Sequence, residues 1–241
     1  MGDQLGGAVI TGLVVIATAW MTVFRGTEQK RRCGVLMVLI VGLLAGLPVA
    51  GIMLVLTQVA PEGLGPLQTA LYGGFVSSAL PAELVKLIVL GLYFGGGRRG
   101  KRRREIGPVE GARAGAAVAL GFAAIESAFY LALEGGWATA LLRAVPGVLI
   151  QTAAGVIIGQ AMGLRRAAST DTFSVSRAWI QAALLHGGYG FTVLGMIEIS
   201  YLQLVSRNNL TPLLATLFAL LIVITAISAT RLVRIFRVVA E

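Results

Sequence analysis

Four polar side chains lie inside long apolar stretches of this sequence, where charged groups are rare. Glu83 and Lys86 share one stretch, and Glu126 and His186 follow in two later ones. A charge at the centre of a bilayer costs roughly 3 kcal/mol on insertion scales, so residues in such places usually serve a function. Carboxylates and histidine are suited to proton transfer, water activation or metal binding. The residue types therefore predict a buried site for one of these reactions.

The acid and the base of the first stretch belong to the segment Leu80–Lys86. Pro81 precedes Glu83 and has no backbone N–H to donate, so we expect the helix to kink and open there. Glu83 and Lys86 are three residues apart and therefore occupy neighbouring positions of a helix. The alternative is that they only neutralise each other as a local ion pair.

The second acid, Glu126, lies in a helical pattern of its own. Phe122, Glu126 and Tyr130 recur every four residues and share one face. The alternative for Glu126 is a protonated packing residue. The same stretch also predicts a close helix contact through small residues at spacing four, Gly111, Gly115 and Ala119.

Gln151 and His186 complete the set of candidates. Gln151 lies in a stripe of glycines, at positions 147, 155, 159 and 163, which is typical of close helix packing. Its amide should therefore face another helix rather than lipid. His186 is the only histidine and lies within an apolar helix, where a hydrogen-bonded packing role is the alternative. Two acids at similar depth favour a site role.

The composition places these residues on membrane helices. Of the 241 residues, 56% are hydrophobic and 13% are charged, and the mean hydropathy is +0.84, whereas soluble domains carry about 25% charged residues. We predict an all-α polytopic membrane protein, with one transmembrane domain over 1–241 and a motif-bearing core at about 67–203. Apolar runs of membrane-spanning length predict a bundle of about seven helices, near 5–24, 34–58, 67–95, 109–133, 142–164, 177–203 and 210–236.

The charge pattern gives an orientation and excludes one class of partner. The net charge is +9, and most of the basic residues fall in alternate connections between the apolar runs. The positive-inside rule then puts the N-terminus outside and the C-terminus in the cytoplasm. The basic loops are expected to contact anionic lipid of the bilayer rather than nucleic acid.

The polar residues also match a family pattern. The chain resembles the PrsW-like intramembrane proteases, which are grouped with the CAAX prenyl and bacteriocin-processing membrane proteases. The family pattern is Glu-Glu-x-x-Lys, then Phe-x-x-x-Glu, then a His, then a His followed four residues later by Asn or Asp. Here the motifs fall on Ala82 to Lys86, on Phe122 to Glu126 with Tyr130 in place, on Gln151, and on His186.

The sequence departs from that pattern at three of these positions. Ala82 stands in place of the first glutamate, Gln151 in place of a histidine, and Gly190 in place of Asn or Asp; Ser127 also replaces a frequent Asn. An alanine at position 82 removes a candidate base. Glutamine at position 151 is a weak neutral metal ligand.

The resemblance implies hydrolysis of a peptide bond in a membrane-protein or membrane-peptide substrate. Glu83 would be the general base, Glu126 an assisting acid, and His186 the group that polarises the carbonyl. Lys86 would pair with a carboxylate, and Phe122, Gln151 and Tyr130 would support the site. A divalent metal such as zinc is the implied cofactor, with Glu126 and His186 as candidate ligands. The expected location is the plasma membrane of a prokaryote.

Three functions remain open from the sequence. The first is an active intramembrane endopeptidase. The second is a catalytically impaired relative that binds membrane segments or regulates a partner, which the missing family residues favour. The third is a proton-coupled transporter that uses the same buried groups, although the chain has none of the interrupted repeat halves that transporters use.

Overall fold

The computed structural model describes residues 12–19, 23, 29–95, 107–133, 143–168, 174–206 and 210–238. These residues form helices, with no strand among them. The helices are α1 (residues 12–19), α2 (Gln29–Gln58), α3 (Pro66–Gly95), α4 (Pro108–Leu133), α5 (Val148–Ala168), α6 (Val175–Ser206) and α7 (Thr211–Val238).

The prediction of an all-α polytopic membrane protein is confirmed. Six helices among the described residues are long and apolar enough to cross a membrane. Helical geometry is required there, because a bilayer offers no water to satisfy backbone N–H and C=O groups. The first predicted span, near 5–24, lies mostly outside the described residues, and its described part is α1.

Two helices form the centre of the bundle. The membrane-spanning windows of α4 and α5 are 67% and 78% buried, whereas those of α2 and α7 are 28% and 17% buried. The outer helices therefore carry most of the lipid-facing apolar surface. This division places Glu126 and Gln151, which lie on α4 and α5, at the centre of the molecule.

The predicted glycine contact joins α4 to α5. A methyl group added at Gly115 would overlap the carbonyl of Gly155, and one added at Gly111 would overlap the carbonyl of Gly159. A methyl group at Gly155 would meet the Cβ of Ala119 as well. The two backbones therefore touch along their length, as small-residue stripes allow in membranes.

Helix α3 is not a regular α-helix. It is π-helical over Tyr72–Ala79 and α-helical before and after that segment, over Pro66–Leu71 and Leu80–Gly95. The opening predicted near Pro81 thus lies in the turns just before the proline. A proline ring crowds the carbonyl four residues upstream, here that of Ser77, and a wider turn relieves that conflict.

The π-helical segment packs directly on α6. A methyl group at Gly74 would overlap the backbone N of Phe191, and one at Gly190 would lie 2.8 Å from the Cα of Gly74. Gly190 is thus a close-approach position, where any side chain would push α3 and α6 apart. This contact brings the middle of α3 next to His186 on α6.

We expect Gly155→Leu to destabilise the protein by about 1–3 kcal/mol or more, because the new side chain has no room between α4 and α5. The measurement is thermal unfolding of the purified protein in detergent. The matched control is Gly91→Leu on α3, where an added Cβ meets nothing within 4 Å. Equal loss of stability in both variants would contradict the packing role of the glycines.

Candidate active site

Four helices bring five polar side chains into one buried cluster. Helix α3 contributes Glu83 and Lys86, and α4, α5 and α6 contribute one residue each: Glu126, Gln151 and His186. Glu83 and Lys86 are fully buried, and Gln151 and His186 are 1% exposed. The Glu126 side chain is 13% exposed, so it marks the edge of the cluster.

The Lys86 ammonium is the fixed cation of the cluster. Its Nζ donates to Glu83 Oε1 at 2.6 Å and also to Gln151 Oε1. The Phe122 ring covers it, with 5.5 Å between Nζ and the ring centroid, a cation–π distance. Phe122 thus supports the site by shielding the charge on its apolar side.

Gln151 connects the cation to the second carboxylate. Its carbonyl oxygen accepts from Lys86, and its amide nitrogen donates to Glu126 Oε2. Only this orientation of the amide works, because an ammonium can only donate and a carboxylate can only accept. The prediction that Gln151 faces other helices is confirmed.

His186 lies between the two carboxylates. Its Nδ1 is 2.8 Å from Glu83 Oε1, and its Nε2 is 3.5 Å from Glu126 Oε1. Nδ1 must carry a proton to bond a carboxylate that already accepts from Lys86. The Gln151 amide nitrogen is 3.0 Å from Nε2, so that ring nitrogen faces the amide as well as Glu126.

The two carboxylate oxygens of Glu83 differ in their hydrogen bonding. Oε1 bonds both Lys86 and His186. Oε2 is buried and has no hydrogen-bond partner among the described residues. Buried carboxylate oxygens are normally hydrogen-bonded to protein or water, so Oε2 keeps an accepting capacity that no described residue uses.

Ser78 is a sixth member of the cluster that sequence reasoning missed. Its hydroxyl donates to Glu126 Oε1 at 3.2 Å, and its Oγ is 3.4 Å from His186 Nε2. Ser78 and Glu83 are five residues apart, roughly 1.4 turns of an α-helix, so they should not share a face. The π-helical segment that contains Ser78 changes that spacing, and the serine pair just before Pro81 is the only sequence signal for it.

The other predicted positions lie beside the cluster. The Tyr130 ring is one turn beyond Glu126 and packs edge-to-face on Phe129 at 5.6 Å between centroids. Ala82 is buried and belongs to the apolar core. Gly190, one turn beyond His186, is the close-approach position against Gly74 described above.

The fold and the cluster define a polytopic membrane protein with a buried acid–base centre. The sequence model of one family, described as PrsW family intramembrane metalloprotease, matches residues 30–228. The chain therefore belongs to the PrsW family of intramembrane metalloproteases. The match covers α2 from its second residue, all of α3 to α6 and most of α7, and with them every residue of the cluster. No curated protein and no solved structure matches the chain.

The family description implies a catalytic metal. The side chains of the cluster can therefore be compared with the ligands that such a metal requires. Catalytic zinc sites take three protein ligands. Glu126 Oε1 and His186 Nε2 are 3.5 Å apart and face each other, but Glu83 lies at the opposite ring nitrogen and is bound to Lys86. The group nearest to both Glu126 and Nε2 is the Gln151 amide N–H, which cannot bind a metal. The described residues hold no group of three His, Cys, Asp or Glu arranged for a metal, so they do not fit the zinc set.

We expect Lys86→Met to lower the free energy of unfolding by about 3–5 kcal/mol, because it leaves the Glu83 carboxylate buried without its cation. The double variant Lys86→Met/Glu83→Gln should recover part of that loss, since the remaining amide is neutral. Unfolding of the two single variants and the double variant in detergent gives the interaction energy. The control is Arg177→Met at an exposed position. An additive double variant would show that the two charges do not depend on each other.

Proposed function

We propose that this protein is an active intramembrane endopeptidase in which Glu83 activates water to cleave a peptide bond of a membrane-protein or membrane-peptide substrate. The observation that carries the proposal is the asymmetry of the Glu83 carboxylate. One oxygen is fixed by a cation and an imidazole, and the other faces no described protein donor. A base needs both features: a fixed orientation and a free lone pair.

Lys86 would keep the Glu83 carboxylate ionised and in a fixed orientation. Its ammonium is fully buried and bonds Glu83 directly, so it stabilises the charged carboxylate. The direct contact between the Lys86 ammonium and the Glu83 carboxylate makes this buried pair tolerable in an apolar bundle.

Glu126 and His186 would assist at the carbonyl group of the peptide bond that is cleaved. Ser78, Gln151 and His186 present an O–H, an N–H and an imidazole edge around Glu126. Ser78 and Gln151 already donate to Glu126, so His186 would be the group that bonds the carbonyl oxygen and stabilises the negative charge that develops on it. Ser78 and Gln151 are positioning residues in this proposal, because both orient Glu126.

The proposed hydrolysis balances with water as the only reactant besides the peptide. Glu83 Oε2 takes one proton of the water as its oxygen bonds the carbonyl carbon, and the carbonyl electron pair moves onto oxygen. When that pair returns, the C–N bond breaks and the leaving amine takes the proton from Glu83, directly or through His186. The products are a carboxylic acid and an amine, and Glu83 is regenerated.

The departures from the family pattern bear on this proposal. Gln151 cannot replace a metal-binding histidine. Its amide instead accepts a hydrogen bond from Lys86 and donates one to Glu126, which links the two charged groups. Gly190 has no side chain to offer, and the backbone contact that it allows brings the π-helical segment of Ser78 close to His186. Ala82 leaves Glu83 as the only carboxylate on the described part of α3, so Glu83 would act alone as the base.

The second candidate is a catalytically impaired relative that binds membrane segments without cleaving them. The missing glutamate at position 82 is the observation that favours it. The two functions differ in one measurable respect, since only the protease depends on the Glu83 charge for turnover. The resemblance to PrsW-like proteases implies the plasma membrane of a prokaryote, and the basic loops support an N-terminus outside.

We expect Glu83→Gln to reduce cleavage by at least a hundredfold, because the amide cannot take a proton from water. The assay uses a pool of synthetic single-span peptides in liposomes of phosphatidylethanolamine and phosphatidylglycerol, with products identified by mass spectrometry. Glu62→Gln, in the exposed loop between α2 and α3, is the matched control. Undiminished cleavage by a folded Glu83→Gln variant would exclude the mechanism, and no cleavage by the wild type would favour the impaired relative.

We expect the purified protein to hold well below one zinc ion per chain, because Lys86 and the Gln151 amide occupy the space between the carboxylates. Elemental analysis by mass spectrometry measures the content, and dialysis against a chelator should leave the cleavage rate unchanged. One equivalent of zinc that disappears in His186→Ala would instead establish a metal centre, with ligands completed by residues outside the described set.

A further inference from the structure

Ser78, His186 and Glu83 form a row of hydrogen-bonding groups inside the cluster. The Ser78 Oγ is 3.4 Å from His186 Nε2, and His186 Nδ1 is 2.8 Å from Glu83 Oε1. The serine thus faces one nitrogen of the imidazole ring, while the carboxylate binds the other. A hydroxyl, a base and a group that orients the base are the three parts of a nucleophilic site for acyl transfer.

The carboxylate of this row is held in place by a cation. Glu83 Oε1 also accepts from the Lys86 ammonium at 2.6 Å, and both side chains are fully buried. A fixed carboxylate keeps the imidazole in one orientation, with its proton on Nδ1. The unprotonated Nε2 is then the atom that can take a proton from Ser78.

Two hydrogen-bond donors approach His186 Nε2. Besides the Ser78 hydroxyl, the Gln151 amide nitrogen is 3.0 Å away. Only the hydroxyl can give up its proton there, because an amide N–H is less acidic. The Ser78 hydroxyl also donates to Glu126 Oε1 at 3.2 Å, and its hydrogen can rotate about the Cβ–Oγ bond between the two acceptors.

Ser78 lies on the inner side of the π-helical segment of α3. It is 3% exposed, whereas Val76 and Leu80 on either side of it are 38% and 39% exposed. Single π-helical turns inside α-helices are frequent at functional sites. The width of α3 separates the hydroxyl from the acyl chains of the bilayer, so an apolar substrate is the class best able to approach it.

We propose that Ser78 is a nucleophile and that the cluster hydrolyses carboxylic esters with an apolar acyl chain through an acyl-enzyme. His186 is the base in this reaction, and Glu83 orients it. The activity goes beyond the proposed peptidase and does not rest on it, because Glu83 acts here through His186 and not on water. An ester suits this site better than a peptide bond does, since an alcohol leaves more readily than an amine.

The proposed ester hydrolysis balances with water as the second reactant. Ser78 Oγ bonds the acyl carbon as its proton passes to His186 Nε2, and the carbonyl electron pair moves onto oxygen. When that pair returns, the C–O bond of the ester breaks and the alcohol takes the proton from Nε2. Water then attacks the acyl-serine and gives a proton to Nε2, and Oγ leaves with that proton. The products are a carboxylic acid and an alcohol, and Glu83 stays ionised throughout.

A decyl fluorophosphonate, which phosphonylates activated serines, tests the nucleophile on the full chain in detergent. Mass spectrometry of the digested wild-type protein should place the adduct on Ser78, and Ser78→Ala should lose it. Ser77→Ala is the matched control, because Ser77 is the neighbouring serine, is 2% exposed, and has a hydroxyl without a hydrogen-bond partner among the described residues. No adduct, or an adduct on Ser77 or another serine, would overturn the proposal.

The role of the carboxylate is tested with the same reagent. Glu83→Gln should slow labelling of Ser78 by roughly a hundredfold or more, since loss of the orienting carboxylate lowers kcat by about 10⁴ in a serine protease triad. Glu62→Gln, in the exposed loop between α2 and α3, should label at the wild-type rate. Equal labelling of folded Glu83→Gln and wild-type protein would show that Glu83 does not act through His186.

Turnover separates this activity from the proposed peptidase. The wild-type protein should hydrolyse p-nitrophenyl octanoate, with an octanoyl group on Ser78 after acid quenching, and Ser77→Ala but not Ser78→Ala should retain the activity. Undiminished ester hydrolysis by Ser78→Ala would exclude Ser78 as the nucleophile. The peptide-pool assay is run on the same preparations. Ester hydrolysis without peptide cleavage contradicts only the peptidase, and peptide cleavage without an adduct on Ser78 contradicts only the nucleophile.

Discussion

The buried pair of Glu83 and Lys86 is the constraint on which the rest of the centre depends. A carboxylate and an ammonium that are both fully buried are stable only with direct contact and with further hydrogen bonds for their remaining groups. Gln151, His186 and Phe122 provide these contacts from three other helices. The pair therefore fixes how α3 must face α4, α5 and α6.

Close approach of backbones makes that arrangement possible. Glycines on α4 and α5 let these two helices touch, and Gly74 and Gly190 do the same for α3 and α6. Lipid provides little hydrophobic driving force between helices, so contacts of this kind carry much of the association. Short distances between helices then allow side chains as short as Ser78 to reach His186 and Glu126.

Three small or neutral side chains determine how the centre is packed. At position 82 an alanine packs in the apolar core, and at position 190 a glycine allows close backbone contact between α3 and α6. At position 151 an amide links the Lys86 ammonium to the Glu126 carboxylate through hydrogen bonds.

The sequence alone determined the helical class, the positions of the six spans found among the described residues, and five members of the cluster, because a polar residue in an apolar run is conspicuous wherever the run folds. Helix spacing also predicted a small-residue contact face on α4 and on α5, and the structure showed that the two faces contact each other. The tertiary structure alone decided the rest: which oxygen of Glu83 is free, which nitrogen of His186 faces which acid, and that Ser78 joins them. These relations depend on helix separation and on the π-helical segment of α3. Neither follows from periodicity, since helix separation is decided where separate helices touch and the π-helical turns depart from the regular α-helical spacing.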